Sequence, residues 1–81
     1  MTRSEISASI GNLLAQIVEQ DDLKLEDSMS SEDIVGWDSN NHVRLMVAIE
    51  AEFGIRFDIE ELSAPENVGA LVDLVQTKLQ K

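Results

Sequence analysis

Apolar residues near the start of the chain fall at Ile6, Ile10, Leu13, Leu14, Ile17 and Val18, the three-to-four spacing that lines one face of a helix. Thr2 and Glu5 stand three apart just ahead of that stripe, which is the spacing of a capping box. The pattern predicts a first helix from about Arg3 to Gln20. Gly11 lies within it, at a small cost in helix propensity, and would let another helix approach closely.

The periodicity then stops. Asp21 to Asp38 reads as a loop of unusual length for so short a chain, and loops of that length are normally functional or anchored. Leu23, Leu25, Met29, Ile34 and Val35 recur along it as expected anchors, which argues against a disordered linker. Ser30, Ser31, Glu32 and Asp33 have the composition of one short turn.

A second helix is predicted from Ser39 to Phe53, with Leu45, Met46, Ile49 and Phe53 facing inward and Val43 at the border. Gly54 suits the left-handed position that ends such a helix. Ile55-Arg56-Phe57 reads as a short extended link. Asp58 then caps a brief helix, Ile59 to Leu62, with Glu60 and Glu61 towards solvent. Pro65 breaks the chain and Asn67 caps a last helix from Val68 to about Leu79, with Val68, Leu71, Val72, Val75 and Leu79 inward. Lys78 and Lys81 near its end suit the helix dipole. With no alternating strand pattern, the prediction is an all-α bundle of three long helices and one short helix, with a long first loop. Residues 1–81 are expected to form one domain.

Composition narrows the partners. Sixteen acidic against six basic residues give a net charge of −10, which disfavours nucleic acid and anionic membrane and favours proteins with basic patches. The absence of cysteine excludes disulfides and thiolate metal sites. No apolar run approaches membrane-spanning length, and Met1-Thr2-Arg3-Ser4-Glu5 has no leader-like apolar region, so a cytoplasmic monomer is expected.

Candidate chemistry concentrates at Gly36-Trp37-Asp38-Ser39, where the loop meets the second helix. The Asp38 carboxylate can accept from unpaired first-turn N–H groups. Ser39 follows at the first helical position, at the end of the dipole that favours phosphate. These residues, with the helix behind them and Glu52-Phe53-Gly54-Ile55 after it, resemble the acyl carrier protein and peptidyl carrier protein family. The resemblance extends over nearly the whole chain. It implies that Ser39 is where a phosphopantetheinyl transferase attaches 4′-phosphopantetheine from coenzyme A. Acyl groups would then ride on the arm's thiol between enzymes that load and use them. Asp38 would cap and orient the site. Asn40 departs from the pattern, in which leucine usually follows the serine.

Other readings of the same residues carry less. His42 stands three after Ser39 and so shares its helical face, but a Ser–His hydrolase also needs an orienting group and an oxyanion hole, and so short a chain has little with which to wall off a pocket. Asp21, Asp22, Glu26 and Asp27 are acidic but lack calcium-loop spacing, so weak, nonspecific cation binding is the expectation. Trp37 is expected to pack against the bundle and fix the loop beside Ser39. No metal site and no catalytic group is predicted. An unmodified interaction subunit binding a basic partner is the alternative function.

Asn40, Arg44, Val47, Ala48 and Ala51 share the outer face of the second helix. The resemblance makes this the face that docks onto partner enzymes. Relatives often carry acids along it, whereas here Arg44 and Asn41 replace acidic positions and Glu50 and Glu52 remain. Charge mismatch of that kind separates a carrier from the wrong enzymes, which points to a specialised carrier over the bulk fatty-acid one. Fatty-acid, lipid and polyketide pathways all use such carriers, and the cargo is not encoded in the pattern.

Overall fold

A computed structural model describes residues 2–21 and 23–80. Four helices follow in order: α1 Arg3–Val18, α2 Ser39–Phe53, α3 Ile59–Ser63 and α4 Val68–Leu79. No strand occurs among the described residues. The fold is the all-α bundle of three long helices and one short helix that the periodicity predicts. α1 packs against both α2 and α4.

The core is built from Ile6, Ile10 and Leu14 of α1, Leu45, Met46 and Ile49 of α2, and Val68, Leu71, Val72 and Val75 of α4. Ile34 and Trp37 enter it from the first loop, 5% and 6% exposed. Leu13, Ile17, Val18, Phe53 and Leu79 close its edges, half-buried. No polar side chain is buried among the described residues, so the interior is held by apolar burial alone.

Caps set the helix ends. Thr2 Oγ1 accepts from the Glu5 N–H at 3.2 Å, and Glu5 Oε1 accepts from the Thr2 N–H at 2.8 Å, the reciprocal pair expected. α1 ends two residues before Gln20, because Glu19 turns left-handed at φ 58° and the Gln20 N–H folds back onto the Ala15 carbonyl at 2.9 Å. Gly54 ends α2 at φ 66°, as predicted. α3 runs one residue past Leu62, and Glu61 does not simply face solvent. It is half-buried, accepts from the Asp58 N–H at 2.8 Å and pairs with Lys78 at 2.7 Å. Lys78 therefore ties α4 to α3, and it lies 5.8 Å from the centre of the Phe57 ring. Lys81 lies outside the described residues.

The long loop is anchored, with one substitution in its set of anchors. Leu23, Leu25 and Met29 pack against the core and Ile34 enters it, but Val35 is 84% exposed. Val35 sits at the tip of the turn that the Trp37 N–H closes onto the Ile34 carbonyl, and Trp37 supplies the last anchor instead. Gly11 meets this loop, not a helix: a Cβ there would lie 3.3 Å from the Leu23 carbonyl oxygen and 3.6 Å from Leu25. The loop also caps α4. The Val68 N–H donates to the Met29 carbonyl at 2.8 Å and the Gly69 N–H to the Asp27 carbonyl at 2.9 Å, while the Ala70 N–H donates to Asn67 Oδ1 at 2.8 Å. Arg3 closes the same corner by pairing with Asp27 and Asp73. The Asp27 hydrogen bond is the main reason that the guanidinium is held above its ordinary pKa; burial acts in the opposite sense.

Candidate functional site

Ser39 stands where the sequence places it, as the first residue of α2 and exposed to solvent. Asp38 before it is extended, at φ −102° and ψ −174°, and its Oδ1 accepts from the Asn41 N–H at 2.9 Å. The Asp38 carbonyl begins the helical ladder by accepting from the His42 N–H at 2.8 Å. The expected N-cap is thus formed, and the Ser39 hydroxyl is left out of it.

The turn that presents Ser39 is held from both sides. Gly36 has φ 91°, a conformation that L side chains rarely adopt, and a Cβ there would come within 3.2 Å of Val18. Asn41 reaches back from α2, its Nδ2 donating to the Gly36 carbonyl at 2.6 Å. The Trp37 N–H donates to the Ile34 carbonyl at 3.2 Å, and its ring is buried. Trp37 packs against the bundle beside Ser39, as expected.

His42 is half-buried and both of its ring nitrogens are engaged away from Ser39. Trp37 Nε1 donates to His42 Nδ1 at 3.1 Å, and His42 Nε2 lies 2.9 Å from the Leu62 carbonyl oxygen. The planes of the two rings are inclined by 28°, with centroids 6.0 Å from one another. An imidazole held this way has no nitrogen free to take the Ser39 proton, so the geometry does not assemble a Ser–His pair. Sequence reasoning placed His42 and Ser39 on one face but had no means of finding the Trp37 bond, since a spacing of five follows no helical rule.

A cleft of about 340 Å³ opens beside Ser39, bounded by Trp37, Asp38 and His42 on one side and by Leu62, Pro65 and Leu71 on the other. Ser39 is itself among its lining residues, so a group attached to the hydroxyl starts at the cleft's rim.

The outer face of α2 carries the predicted stripe with adjustments. Asn40, Arg44 and Ala51 are exposed, and Val47 is 56% exposed, whereas Ala48 is half-buried and contributes only an edge. Val43 is also exposed, more than a border position implies. Glu50 is not a free acid on this face, because its Oε2 accepts from the Phe57 N–H at 2.7 Å. Among the described residues no group of three or more His, Cys, Asp or Glu side chains is placed to hold a metal ion. Asp22 of the acidic loop cluster lies outside the described residues. No described helix is long and apolar enough to cross a membrane.

An exposed serine at a capped helix start, in a helical bundle with a long anchored loop, is the architecture of a carrier domain. The sequence matches the family described as the phosphopantetheine attachment site over residues 8–75, and the chain belongs to that family. Phosphopantetheine, covalently attached, is accordingly its cofactor. Its similarity within the family is to acyl carrier proteins. The acyl carrier protein of Thermotoga maritima is 27% identical over 78 residues, covering 96% of each chain. The solution structure of a holo acyl carrier protein from Geobacter metallireducens superposes with a TM-score of 0.83 at 35% identity, covering 93% of this chain and 86% of that one.

Proposed function

We propose that Ser39 is the attachment residue and that the chain is an acyl carrier, residues 1–81 forming one carrier domain. The observation that carries this reading is the exposed Ser39 hydroxyl at the first position of α2, directly behind the Asp38 cap and beside a cleft. A phosphopantetheinyl transferase supplies the base that the chain does not place at Ser39. The serine oxygen forms a new bond to the phosphorus that bears pantetheine. The pyrophosphate P–O bond of coenzyme A breaks, the adenosine bisphosphate leaves, and the hydroxyl proton passes to the transferase. The arm's thiol then holds an acyl group as a thioester and presents it to successive enzymes at high effective concentration. In this reading the chain is a cytoplasmic monomer and not itself a catalyst.

Partners are acyl-loading and acyl-using enzymes with basic docking patches, drawn by the net charge of −10. Asn40, Arg44, Val47 and Ala51, with Ala48 at the edge, form the docking face. Arg44 forms no ion pair with a described residue, and with Glu50 turned onto Phe57, this face offers a cation and an apolar knob where an acidic strip would suit a purely basic partner. That supports service in a specialised lipid or secondary-metabolite pathway over bulk fatty-acid synthesis.

Intact mass after incubation with coenzyme A and a broad-specificity transferase tests the proposal. One phosphopantetheine is expected on the wild type and none on Ser39→Ala. No gain with several transferases would leave the unmodified interaction subunit as the better reading.

A further inference from the structure

α3 spans only five residues, none of them fully buried, and Ile59 at its start is 87% exposed; Leu62 at the core's edge and the Glu61–Lys78 pair are what hold it to the bundle. Elements with so little buried area open at low cost. The carbonyl of Leu62 in α3 lies 2.9 Å from His42 Nε2. At the other edge of the same ring, Nδ1 lies 3.1 Å from the indole nitrogen of Trp37. An indole N–H can only donate and a carbonyl can only accept. Both contacts are hydrogen bonds together only if the ring is the neutral Nε2–H tautomer, with its lone pair on Nδ1.

One rigid ring therefore spans from the loop to α3. Trp37 is next to Asp38 in the chain, and Trp37, Ser39, His42 and Leu62 all line the cleft of about 340 Å³. We propose that His42 is a positioning residue that couples the two walls of this cleft, so that cargo pressing α3 outward is felt at Trp37 and at the turn presenting Ser39. Displacing the Leu62 carbonyl removes the acceptor for Nε2–H and frees the ring to tilt from the indole. The attachment turn then differs between loaded and unloaded carrier. This rests on the reading of Ser39 as the attachment residue.

Two measurements decide it. Nitrogen NMR of the imidazole in the unmodified chain is expected to show Nε2–H with an accepting Nδ1. A Nδ1–H ring, or rapid exchange between tautomers, would overturn the bridge whatever the chain carries. The second compares holo protein with the same protein bearing an octanoyl thioester, reading Trp37 emission and the indole N–H shift. Loading is expected to move both signals in the wild type and in His42→Gln, whose amide offers one acceptor and one donor. In His42→Leu the response is expected to be lost while the helical content stays. An equal response in His42→Leu, or none in the wild type, would overturn the coupling. Should His42→Leu fail to fold, Trp37→Phe serves instead: it removes the indole donor while the Leu62 carbonyl still selects Nε2–H, so the Nδ1 nitrogen shift is expected to move towards that of an unbonded acceptor, and an unchanged Nδ1 shift would overturn the bridge. If Ser39 accepts no arm, the mass shows it directly and the coupling to cargo falls with the carrier reading. The tautomer measurement still judges the bridge on its own.

Discussion

The carbonyl of Asp27 accepts the Gly69 N–H at 2.9 Å, fastening the middle of the first loop to the first turn of α4. The fit is tight: a Cβ on Gly69 would lie 3.1 Å from the Asp27 Cβ and 3.2 Å from its carbonyl oxygen, so Asp27 would have to give by a few tenths of an ångström. That shift pulls on the Gly69 N–H bond to the Asp27 carbonyl and on the Arg3 contact to the Asp27 carboxylate at 2.9 Å. Alanine in a helix gains up to about 1 kcal/mol over glycine, but less in a first turn. Loosening the loop and its backbone cap outweighs that gain. Gly69→Ala is expected to lower stability by about 1 kcal/mol in chemical denaturation, and a rise would contradict the close fit.

The cap at Ser39 carries its own expectation. Asp38→Ala removes the acceptor for the Asn41 N–H, a loss of about 1 kcal/mol for an N-cap. Asp38→Asn keeps an acceptor oxygen and is expected to recover most of it. Thermal melts of the two variants separate the cap from the charge. If both fall equally, the carboxylate acts through its charge.

Much of this was readable in advance because periodicity and caps are local. Thr2 with Glu5, Asp38 before Ser39, Asn67 before Val68 and Gly54 after Phe53 are decided within one helical turn, and the structure shows each. What the pattern did not reveal depends on pairs distant in sequence. Gly69 reads as an ordinary helix residue until Asp27 is placed beside it. Glu50 reads as a surface acid until the Phe57 N–H turns towards it. Val35 has the composition of an anchor, but only the fold of the loop says which of Ile34, Val35 and Trp37 face the core. At the site, the position of Ser39 was legible, whereas the His42 bridge needed Leu62, twenty residues on.

Glu5 gives a prediction in acid. Hydrogen bonding to the Thr2 N–H, and secondarily to the Thr2 hydroxyl, holds its carboxyl below the ordinary 4.5. A carboxylate with a depressed folded-state pKa contributes stability that is fully present above its unfolded value and is lost as pH falls through the folded value. The capping box is therefore intact at neutral pH and weakens below pH 4.5. Carboxyl-carbon NMR is expected to give a Glu5 midpoint under that value, and Thr2→Ala, lacking the hydroxyl, to move it part of the way back. A wild-type midpoint at or above 4.5 would contradict the pairing.

Charge repulsion predicts a response to salt. The net charge of −10 is spread over a small molecule, and seven of its sixteen acids lie between residues 21 and 38. At about 0.1 M ionic strength the screening length is roughly 10 Å, shorter than the molecule's smallest extent of 22 Å. Added salt, and millimolar magnesium more strongly, are expected to raise the melting temperature. A flat or falling melting temperature would mean that self-repulsion does not limit stability.

The sign of one side chain on α2 tests the docking face. Arg44 is exposed, five residues beyond Ser39, and makes no ion pair with a described residue. Against an enzyme whose docking patch is basic it contributes repulsion where an acid would attract. Exposed pairs are worth up to about 1 kcal/mol, or roughly fivefold in affinity. Arg44→Glu is expected to lower the KM of a transferase with a basic docking patch by about that factor and to leave kcat unchanged, since the substitution stands away from the Ser39 hydroxyl. Raising the salt concentration is expected to shrink the difference. An unchanged KM would place Arg44 outside the contact and move the docking face towards the loop acids Glu32, Asp33 and Asp38.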